Sequence, residues 1–394
     1  MPAPYSREAA LAVLNGAVDA IVEGHCESRF TAVRDAFLGN FNERGEVGAA
    51  VAVVVDGVVV CDLWGGLANR ESGATWARES LVDFYSAGKP VVATLLLRLI
   101  DEGRVDLDSP VAEYWPEFEQ HGKGTATVRQ ALCHQAGVPA IRRTLTNEDL
   151  WSWDAMASAL AETAPWFEPG SRHVYHTNTY GHLIGEMVRR VDGRLPGFVL
   201  RELNETVGAD IFCGLGPDEL RRCATVIWDS PMSPGSPPID TESEASMIWR
   251  GYFNPPGYSS VGVVNSIPWR TSQVPSTNGH GTARGLARFY DALIGPSPVL
   301  SAALLAEATS AQSTGPCPVL NQDVTFGLGF QPSTPHRPFG PTPSSFGHFG
   351  TGGSVGFADP AEGVAFGYVM NHVIPRWQST RNRALIGAVY DCLK

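Results

Sequence analysis

In the stretch Val91–Ile100, apolar residues recur at helical spacing and would cover nearly the whole circumference of a helix. Such a pattern is typical of a buried helix, and Gly103 closes it because glycine readily adopts the left-handed conformation that ends helices. Ser86 and Lys89 lie at the mouth of this predicted helix, about one turn apart. Pro90 is tolerated there because first-turn amides have no partner within a helix.

Strand patterns occur near both ends of the chain. Two runs rich in β-branched residues, Ala49–Val55 and Val58–Leu63, are joined by Asp56-Gly57, a strong hairpin signal, and Trp64-Gly65-Gly66 then predicts a turn. Near the carboxyl end the patterns return at Thr325–Gln331, Ser345–Phe349, Ser354–Asp359 and Val364–Met370. With helical patterns between them, these strands predict an α/β fold of the α+β kind: one antiparallel sheet built from both termini, flanked by helices, with a helical insertion.

Five further segments have helical patterns: Glu8–Val22, Thr31–Asn40, Val105–Trp115, Thr127–Gln135 and Arg376–Leu393. Residues 229–280 are rich in proline, glycine, serine and tryptophan, and a loop of this length in a compact chain is usually functional or partly disordered. We predict a discontinuous sheet domain from residues 1–75 and 310–394, a mainly helical domain from residues 76–309, and an active site between them.

The composition narrows the classes of partner and compartment. A net charge of −12 and a pI near 5.3 argue against nucleic acid or an anionic membrane as a partner. The seven cysteines have no C-x-x-C spacing, which indicates neither a disulfide framework nor a zinc site and fits a reducing compartment. The amino-terminal residues lack the basic and apolar regions of a signal peptide, so we predict a cytoplasmic protein that acts on a small molecule. The oligomeric state stays open, a homo-oligomer included.

Ser86 and Lys89 form an S-x-x-K pattern, in which a base one turn along the helix activates a serine nucleophile. Burial and the positive end of the helix dipole both disfavour an ammonium there, so part of the Lys89 population is predicted to be neutral and able to take the serine proton. Only three of the 29 basic residues are lysine, which makes this lysine unusual for the chain. The alternative is a capping serine beside a lysine that reaches to solvent. Since nucleophile and base both lie in the chain, neither a metal nor an organic cofactor is implied.

Two other stretches carry candidate site residues. Tyr175 precedes a helical pattern, and a tyrosine held near positive charge can relay protons because its pKa falls. The turn from Gly347 to Gly353 brings backbone amides together, as an oxyanion hole requires. The alternatives are a packing role for Tyr175 and an ordinary tight hairpin turn at residues 347–353.

The S-x-x-K pattern, Tyr175 and the glycine-rich turn follow one another in an order that resembles the serine β-lactamase and penicillin-binding-protein superfamily. The resemblance is greatest to the family VIII carboxylesterases, which have the class C β-lactamase fold. Residues 103–111, 132–138 and 278–283 also look like their counterparts, so the resemblance covers essentially the whole chain. It implies a β-lactamase/transpeptidase-like fold with Ser86 as acylated nucleophile, Lys89 as its base and Tyr175 as proton relay. It also implies that His348-Phe349-Gly350 matches the K-T-G motif and that the amides of Ser86 and Thr351 form the oxyanion hole.

Two motifs depart from the family pattern. Thr177 stands where β-lactamases have asparagine in Y-x-N, and His348-Phe349 replaces Lys-Thr of K-T-G. The missing lysine and threonine would bind a substrate carboxylate, so we predict a serine carboxylesterase for small, uncharged esters, with Thr177, His348 and Gly350 as further substrate-binding residues. His348 is equally well explained as a strand-end residue. The alternatives are β-lactamase, D-alanyl-D-alanine peptidase or acyltransferase activity on the same fold and, from another class, a non-catalytic binding protein.

A second serine motif, Gly352-Gly353-Ser354-Val355-Gly356, matches G-x-S-x-G, and Asp359 and His372 follow it in the order of an α/β-hydrolase triad. We reject this motif because it must lie between a parallel strand and a helix, whereas here glycines separate two predicted strands. Ser354 is therefore predicted to be dispensable for activity.

Aromatic side chains of the middle region are candidates to line an apolar acyl or alcohol pocket, while several belong to the core instead. They are Trp151, Trp153, Trp166, Trp249, Tyr252, Phe253 and Trp269.

Overall fold

The computed structural model describes residues 22–230, 232–374 and 378–394. The strands of these residues are β1 (Val22–Cys26), β2 (Gly48–Val55), β3 (Val58–Asn69), β4 (Ala74–Thr75), β5 (Val82–Asp83), β6 (Ile211–Phe212), β7 (His280–Gly281), β8 (Ser313–Cys317), β9 (Gln322–Phe326), β10 (Gln331–Pro332), β11 (Phe346–Phe349), β12 (Val355–Asp359) and β13 (Val364–Met370). Short 3₁₀ helices lie at Ser28–Phe30, Tyr85–Gly88, Pro116–Gly122 and Thr351–Gly353.

The α-helices of the same residues are α1 (Thr31–Glu43), α2 (Lys89–Asp101), α3 (Val111–Tyr114), α4 (Val128–Leu132), α5 (Asn147–Leu150), α6 (Trp153–Ala161), α7 (Thr179–Asp192), α8 (Pro196–Val207), α9 (Pro217–Leu220), α10 (Glu244–Phe253), α11 (Ile267–Thr271), α12 (Ala283–Ile294), α13 (Ala302–Thr309) and α14 (Thr380–Leu393). The predicted helix Glu8–Val22 lies outside the described residues except for Val22, which begins β1. None of the described helices is both long and apolar enough to cross a membrane.

The main sheet joins the two ends of the chain. Its strands lie in the order β1-β3-β2-β13-β12-β11-β10, every neighbouring pair is antiparallel, and β4 pairs with β3. At the junction Val55 lies opposite Val364 and Ala49 lies opposite Met370. All strands of this sheet come from residues 22–75 and 331–370, so the predicted antiparallel sheet built from both ends is confirmed.

Three predicted boundaries are wrong. The chain does not turn at Trp64-Gly65-Gly66, because β3 continues to Asn69 and pairs there with both β1 and β2. The predicted strand Thr325–Gln331 is two strands, since β9 ends in a separate hairpin with β8 and β10 joins the main sheet. In the predicted helix Val105–Trp115 only α3 is α-helical, because Pro110 disfavours helical backbone at the residue before it.

The two faces of β2 explain why helices cover the sheet on both sides. Successive side chains of a strand point to opposite faces. Val51 and Val53 therefore pack in one apolar cluster with α1 and α14, whereas Ala52 and Val54 pack in the other, which includes α12. Because both faces are buried, the strand is apolar at nearly every position.

Helix α2 lies in the interior of the larger cluster. Ten of its 13 residues are buried, it packs along α7 and α8, and the 3₁₀ turn that precedes it contacts β11. Gly103 follows its end with a φ of +70°, so the predicted helix and its glycine stop are confirmed. The start of α2 is thereby fixed against the middle of the fold.

Candidate active site

The buried start of α2 brings Ser86 and Lys89 together. Ser86 lies in the 3₁₀ turn before α2, and Lys89 Nζ is 3.1 Å from Ser86 Oγ. The amine also donates hydrogen bonds to Thr177 O (2.6 Å) and Ser276 O (3.1 Å). The alternative of a capping serine is not found, because Gly88 is the N-cap residue and no side chain caps the helix.

Among the residues that the structure describes, no acidic side chain forms an ion pair with Lys89. Its side chain is fully buried, so it does not reach solvent as the alternative required. Burial lowers the pKa of Lys89 well below its usual range, and no carboxylate among the described residues offsets that loss of hydration. The neutral amine predicted from the sequence is the form that this environment favours.

The residue before Ser86 has a strained backbone. Tyr85 has a φ of +53°, in the left-handed region that costs a non-glycine residue about 1 kcal/mol. The Tyr85 amide donates to Asp83 Oδ1 (2.8 Å), and Trp269 Nε1 donates to Asp83 Oδ2 (2.9 Å). Trp228 Nε1 donates to the Tyr85 hydroxyl (3.0 Å). These bonds compensate the strain and hold the turn that presents Ser86.

Replacing Asp83 with asparagine should lower the free energy of unfolding by about 1–3 kcal/mol. Burial raises the pKa of Asp83 to about 8, although both N–H donors favour its charged form. Asparagine can still accept from the Tyr85 amide, but its Nδ2 cannot accept the Trp269 N–H, which loses its partner in the interior. Urea unfolding measures the loss. In a double-mutant cycle with Trp269→Phe the asparagine should cost less, and an equal cost in both backgrounds would contradict this role.

Tyr175 faces both members of the pair. Its hydroxyl faces the Ser86 side chain, and Lys89 Nζ lies 4.7 Å from the centroid of its ring. The ring stacks on Phe326 (5.7 Å) and His348 (6.1 Å). Burial raises the pKa of Tyr175 even though the neighbouring Ser86 hydroxyl lowers it, so the lowered pKa expected from the sequence is wrong. The reason is that burial outweighs the Ser86 hydroxyl and the Arg337 charge, both of which lower this pKa.

The turn after β11 borders the same space. His348 Nδ1 is 2.6 Å from Phe349 O, so Nδ1 carries the hydrogen and Nε2 presents a lone pair. Burial lowers the pKa of His348 well below its usual range, so the ring is neutral. The Gly350 amide donates to Ser354 O (2.7 Å) and is not available to an oxyanion, whereas Thr351 lines the cavity.

A cavity of about 180 Å³ connects these groups. Its described lining residues are Ser86, Tyr175, Thr177, Trp228, Met232, Tyr252, Leu320, Gln331, Arg337, His348, Phe349, Gly350, Thr351 and Gly352. The structure thus brings all the predicted site residues except the fully buried Lys89 to the wall of one cavity. Of the aromatic candidates from the middle region, Tyr252 is the one among the described lining residues.

Residues 229–280 contribute to this cavity through Met232 and Tyr252. The stretch contains α10 and α11, so it is not a structureless loop. The Thr177 side chain lies beside the Tyr252 hydroxyl, while the Thr177 carbonyl oxygen accepts a hydrogen bond from Lys89. Trp228, Gln331 and Arg337 have no predicted role in the site, because they come from distant segments without a motif.

The second serine motif does not form a triad. Ser354 is fully buried and donates to Phe84 O (2.8 Å). Asp359 accepts hydrogen bonds from Thr342 Oγ1 (2.6 Å) and the Tyr390 hydroxyl (2.7 Å). His372 lies 2.7 Å from an Asp229 oxygen instead. The three motif residues therefore have separate partners.

The chain is similar to known proteins over most of its length. Residues 23–390 match the family model for beta-lactamase. The chain belongs to the beta-lactamase family. The prediction of a hydrolase with this fold is confirmed, which removes the alternative of a non-catalytic binding protein.

Three relatives of this beta-lactamase family member cover most of its length. Esterase/beta-lactamase LipL of Mycobacterium tuberculosis is 33% identical over 385 residues, which are 95% of this chain and 88% of LipL. The crystal structure of a penicillin-binding-protein homologue from Caulobacter crescentus has a TM-score of 0.84 and 39% identity, covering 94% of this chain and all of the other. A family VIII carboxylesterase structure has a TM-score of 0.86 and 34% identity with the same coverage. The predicted resemblance is confirmed.

Proposed function

We propose that the protein is a serine carboxylesterase that forms an acyl-enzyme on Ser86. The observation that carries the proposal is the 3.1 Å separation of Lys89 Nζ and Ser86 Oγ, at a lysine whose pKa is lowered by burial. A neutral amine has one lone pair for the serine proton, and its two N–H groups match the carbonyl oxygens of Thr177 and Ser276. Nucleophile and base are then complete within the chain.

In the proposed reaction Ser86 Oγ attacks the ester carbonyl carbon while Lys89 takes the hydroxyl proton. The amides of Ser86 and Thr351 stabilise the oxyanion that forms. Tyr175 passes its proton to the departing alkoxide, and the Lys89 ammonium returns a proton to Tyr175. Water then attacks the acyl group, one of its protons moves through Tyr175 and Lys89 to Ser86 Oγ, and the carboxylic acid leaves.

We propose that the protein hydrolyses small esters that carry no charge. His348 supports this because its ring is neutral, and Phe349 supports it because its side chain has no polar group. Trp228, Tyr252 and Leu320 add apolar surface to the cavity. An acyl or alcohol group of a few carbons fits a space of about 180 Å³.

A fluorophosphonate probe should label the folded protein once, at the peptide that contains Ser86. The expected reason is that Ser86 lines the cavity beside its base, whereas Ser354 is fully buried. Intact-mass and peptide mass spectrometry give the stoichiometry and the position. Heat-unfolded protein is the control and should not react, because an unfolded chain lacks the base. Labelling at Ser354, or none, would contradict the proposal.

A second candidate is β-lactamase activity, which the similarity to Esterase/beta-lactamase LipL favours. Nitrocefin beside 4-nitrophenyl acetate separates the two. Nitrocefin turnover that Ser86→Ala removes would add this activity, and ester turnover alone would leave the esterase. Transfer of the acyl group to an added alcohol would identify an acyltransferase.

We further propose a reducing, cytoplasmic location. All seven cysteines are free thiols, and Cys26 Sγ lies 3.1 Å from Cys61 Sγ in a hydrogen bond. Cell fractionation tests the compartment, and a thiol titration of the unfolded protein without reductant should then count every cysteine.

A further inference from the structure

One wall of the cavity carries polar side chains that the proposed reaction does not use. Gln331, Arg337 and His348 line it, and their exposed fractions are 4%, 6% and 2%. Buried polar atoms normally have hydrogen-bond partners. Gln331 Oε1 and His348 Nε2 have none among the described residues. Such a wall indicates that a bound molecule supplies the missing bonds.

Arg337 gives this wall its charge. Burial lowers the pKa of Arg337 only to about 10, so the guanidinium is charged at neutral pH. Its charge acts on both neighbours, since it lowers the pKa of His348 and interacts favourably with a charged Tyr175. None of the described lining residues is an aspartate or a glutamate. A planar guanidinium in a buried site matches a carboxylate, which accepts two parallel hydrogen bonds.

Gln331 and His348 make the site more selective than a cation alone. His348 Nε2 presents a lone pair because Nδ1 carries the hydrogen, and Gln331 Oε1 is also an acceptor. Both atoms need a donor, which a hydroxyl or an amide N–H provides. A ligand that satisfies the whole wall therefore carries an anionic group and a donor.

We propose that this wall is a substrate subsite in which Arg337 binds a carboxylate, while Gln331 or His348 accepts from a neighbouring hydroxyl or amide. The proposal rests on the esterase function proposed above. It widens the substrate class from uncharged esters to esters that carry one carboxylate on the acyl or the alcohol side. The missing lysine at position 348 does not exclude such substrates, because the positive charge comes from another segment.

Two matched pairs of esters test the subsite. 4-Nitrophenyl hydrogen glutarate and 4-nitrophenyl methyl glutarate differ in charge on the acyl side, and 4-acetoxybenzoate and its methyl ester differ on the alcohol side. After subtraction of uncatalysed hydrolysis, kcat/KM should be about 10- to 100-fold higher for the acid of at least one pair, the range that a hydrogen bond to a charged group gives. The pair that shows this preference identifies the side that faces Arg337.

Arg337→Gln should bring the acid-to-neutral ratio of kcat/KM close to one. This ratio does not depend on how much of the variant is folded. Arg337→Lys keeps the positive charge but loses the planar guanidinium and should give an intermediate ratio. Arg383→Gln is the matched control. Arg383 Nη2 donates to the carbonyl oxygen of Pro338, the residue that follows Arg337, but Arg383 is not among the described residues that line the cavity. That variant should keep the wild-type ratio.

The outcomes separate this inference from the function on which it rests. Hydrolysis of the neutral esters without an acid preference would overturn the subsite and leave the esterase standing. An acid preference that survives Arg337→Gln would overturn the assignment to Arg337. If no ester is hydrolysed, the esterase proposal fails and the subsite with it.

Discussion

Replacing Ser86 with alanine should lower kcat/KM for 4-nitrophenyl acetate by at least about 1,000-fold. The change removes the oxygen that forms the acyl-enzyme, and the other groups of the site cannot replace a nucleophile. The side chain lies at the wall of the cavity, so the smaller residue opens no core void and the unfolding midpoint should stay near that of the wild type. Initial rates and urea unfolding measure both effects.

Ser354→Ala is the control for this loss. Ser354 donates one hydrogen bond to Phe84 O, next to the 3₁₀ turn that contains Ser86. Losing this bond should lower the free energy of unfolding by about 1 kcal/mol, while most of the activity stays. The opposite pattern, an active Ser86→Ala protein and an inactive Ser354→Ala protein, would overturn the assignment of the nucleophile.

Lys89→Arg should reduce kcat/KM by about 100- to 10,000-fold, the contribution of a general base. Arginine keeps a positive charge and hydrogen-bond donors, but it does not deprotonate in proteins and cannot take the Ser86 proton. The pH profile gives a second readout. Only the neutral amine acts as base, so wild-type kcat/KM for an uncharged ester should fall as the pH falls through the lowered pKa of Lys89.

Lys123 provides a matched control within the same chain. It is also fully buried, and its amine donates to the carbonyl oxygens of Gln120, Ala161 and Thr163. Lys123→Met should lower stability and leave kcat per folded molecule near the wild-type value. A loss of kcat as large as that of Lys89→Arg would mean that buried lysines act here through the fold and not as bases.

Several features of the fold followed from local patterns alone. The hairpin between β2 and β3 depends on Asp56-Gly57, whose φ values of 49° and 79° are those that such a turn requires. The strand Val364–Met370 has the predicted limits because a fully buried apolar run and its flanking turns are encoded within a few residues. The boundaries that failed depended on distant partners, as at Trp64-Gly65-Gly66, where pairing with β1 and β2 overrides a turn signal.

The sequence by itself determined the pair Ser86 and Lys89, because three residues along one helix start fix their distance and an apolar helix predicts their burial. Only the tertiary structure decided what surrounds the pair. Tyr175 and His348 reach it through packing between segments far apart in the chain, and so does Arg337, which lies in a stretch without any motif. Burial also raises the pKa of Tyr175, which is the direction opposite to that expected from the sequence. Local periodicity records which side chains are buried, whereas the contacts that give a site its charge and specificity arise between segments and leave no local pattern.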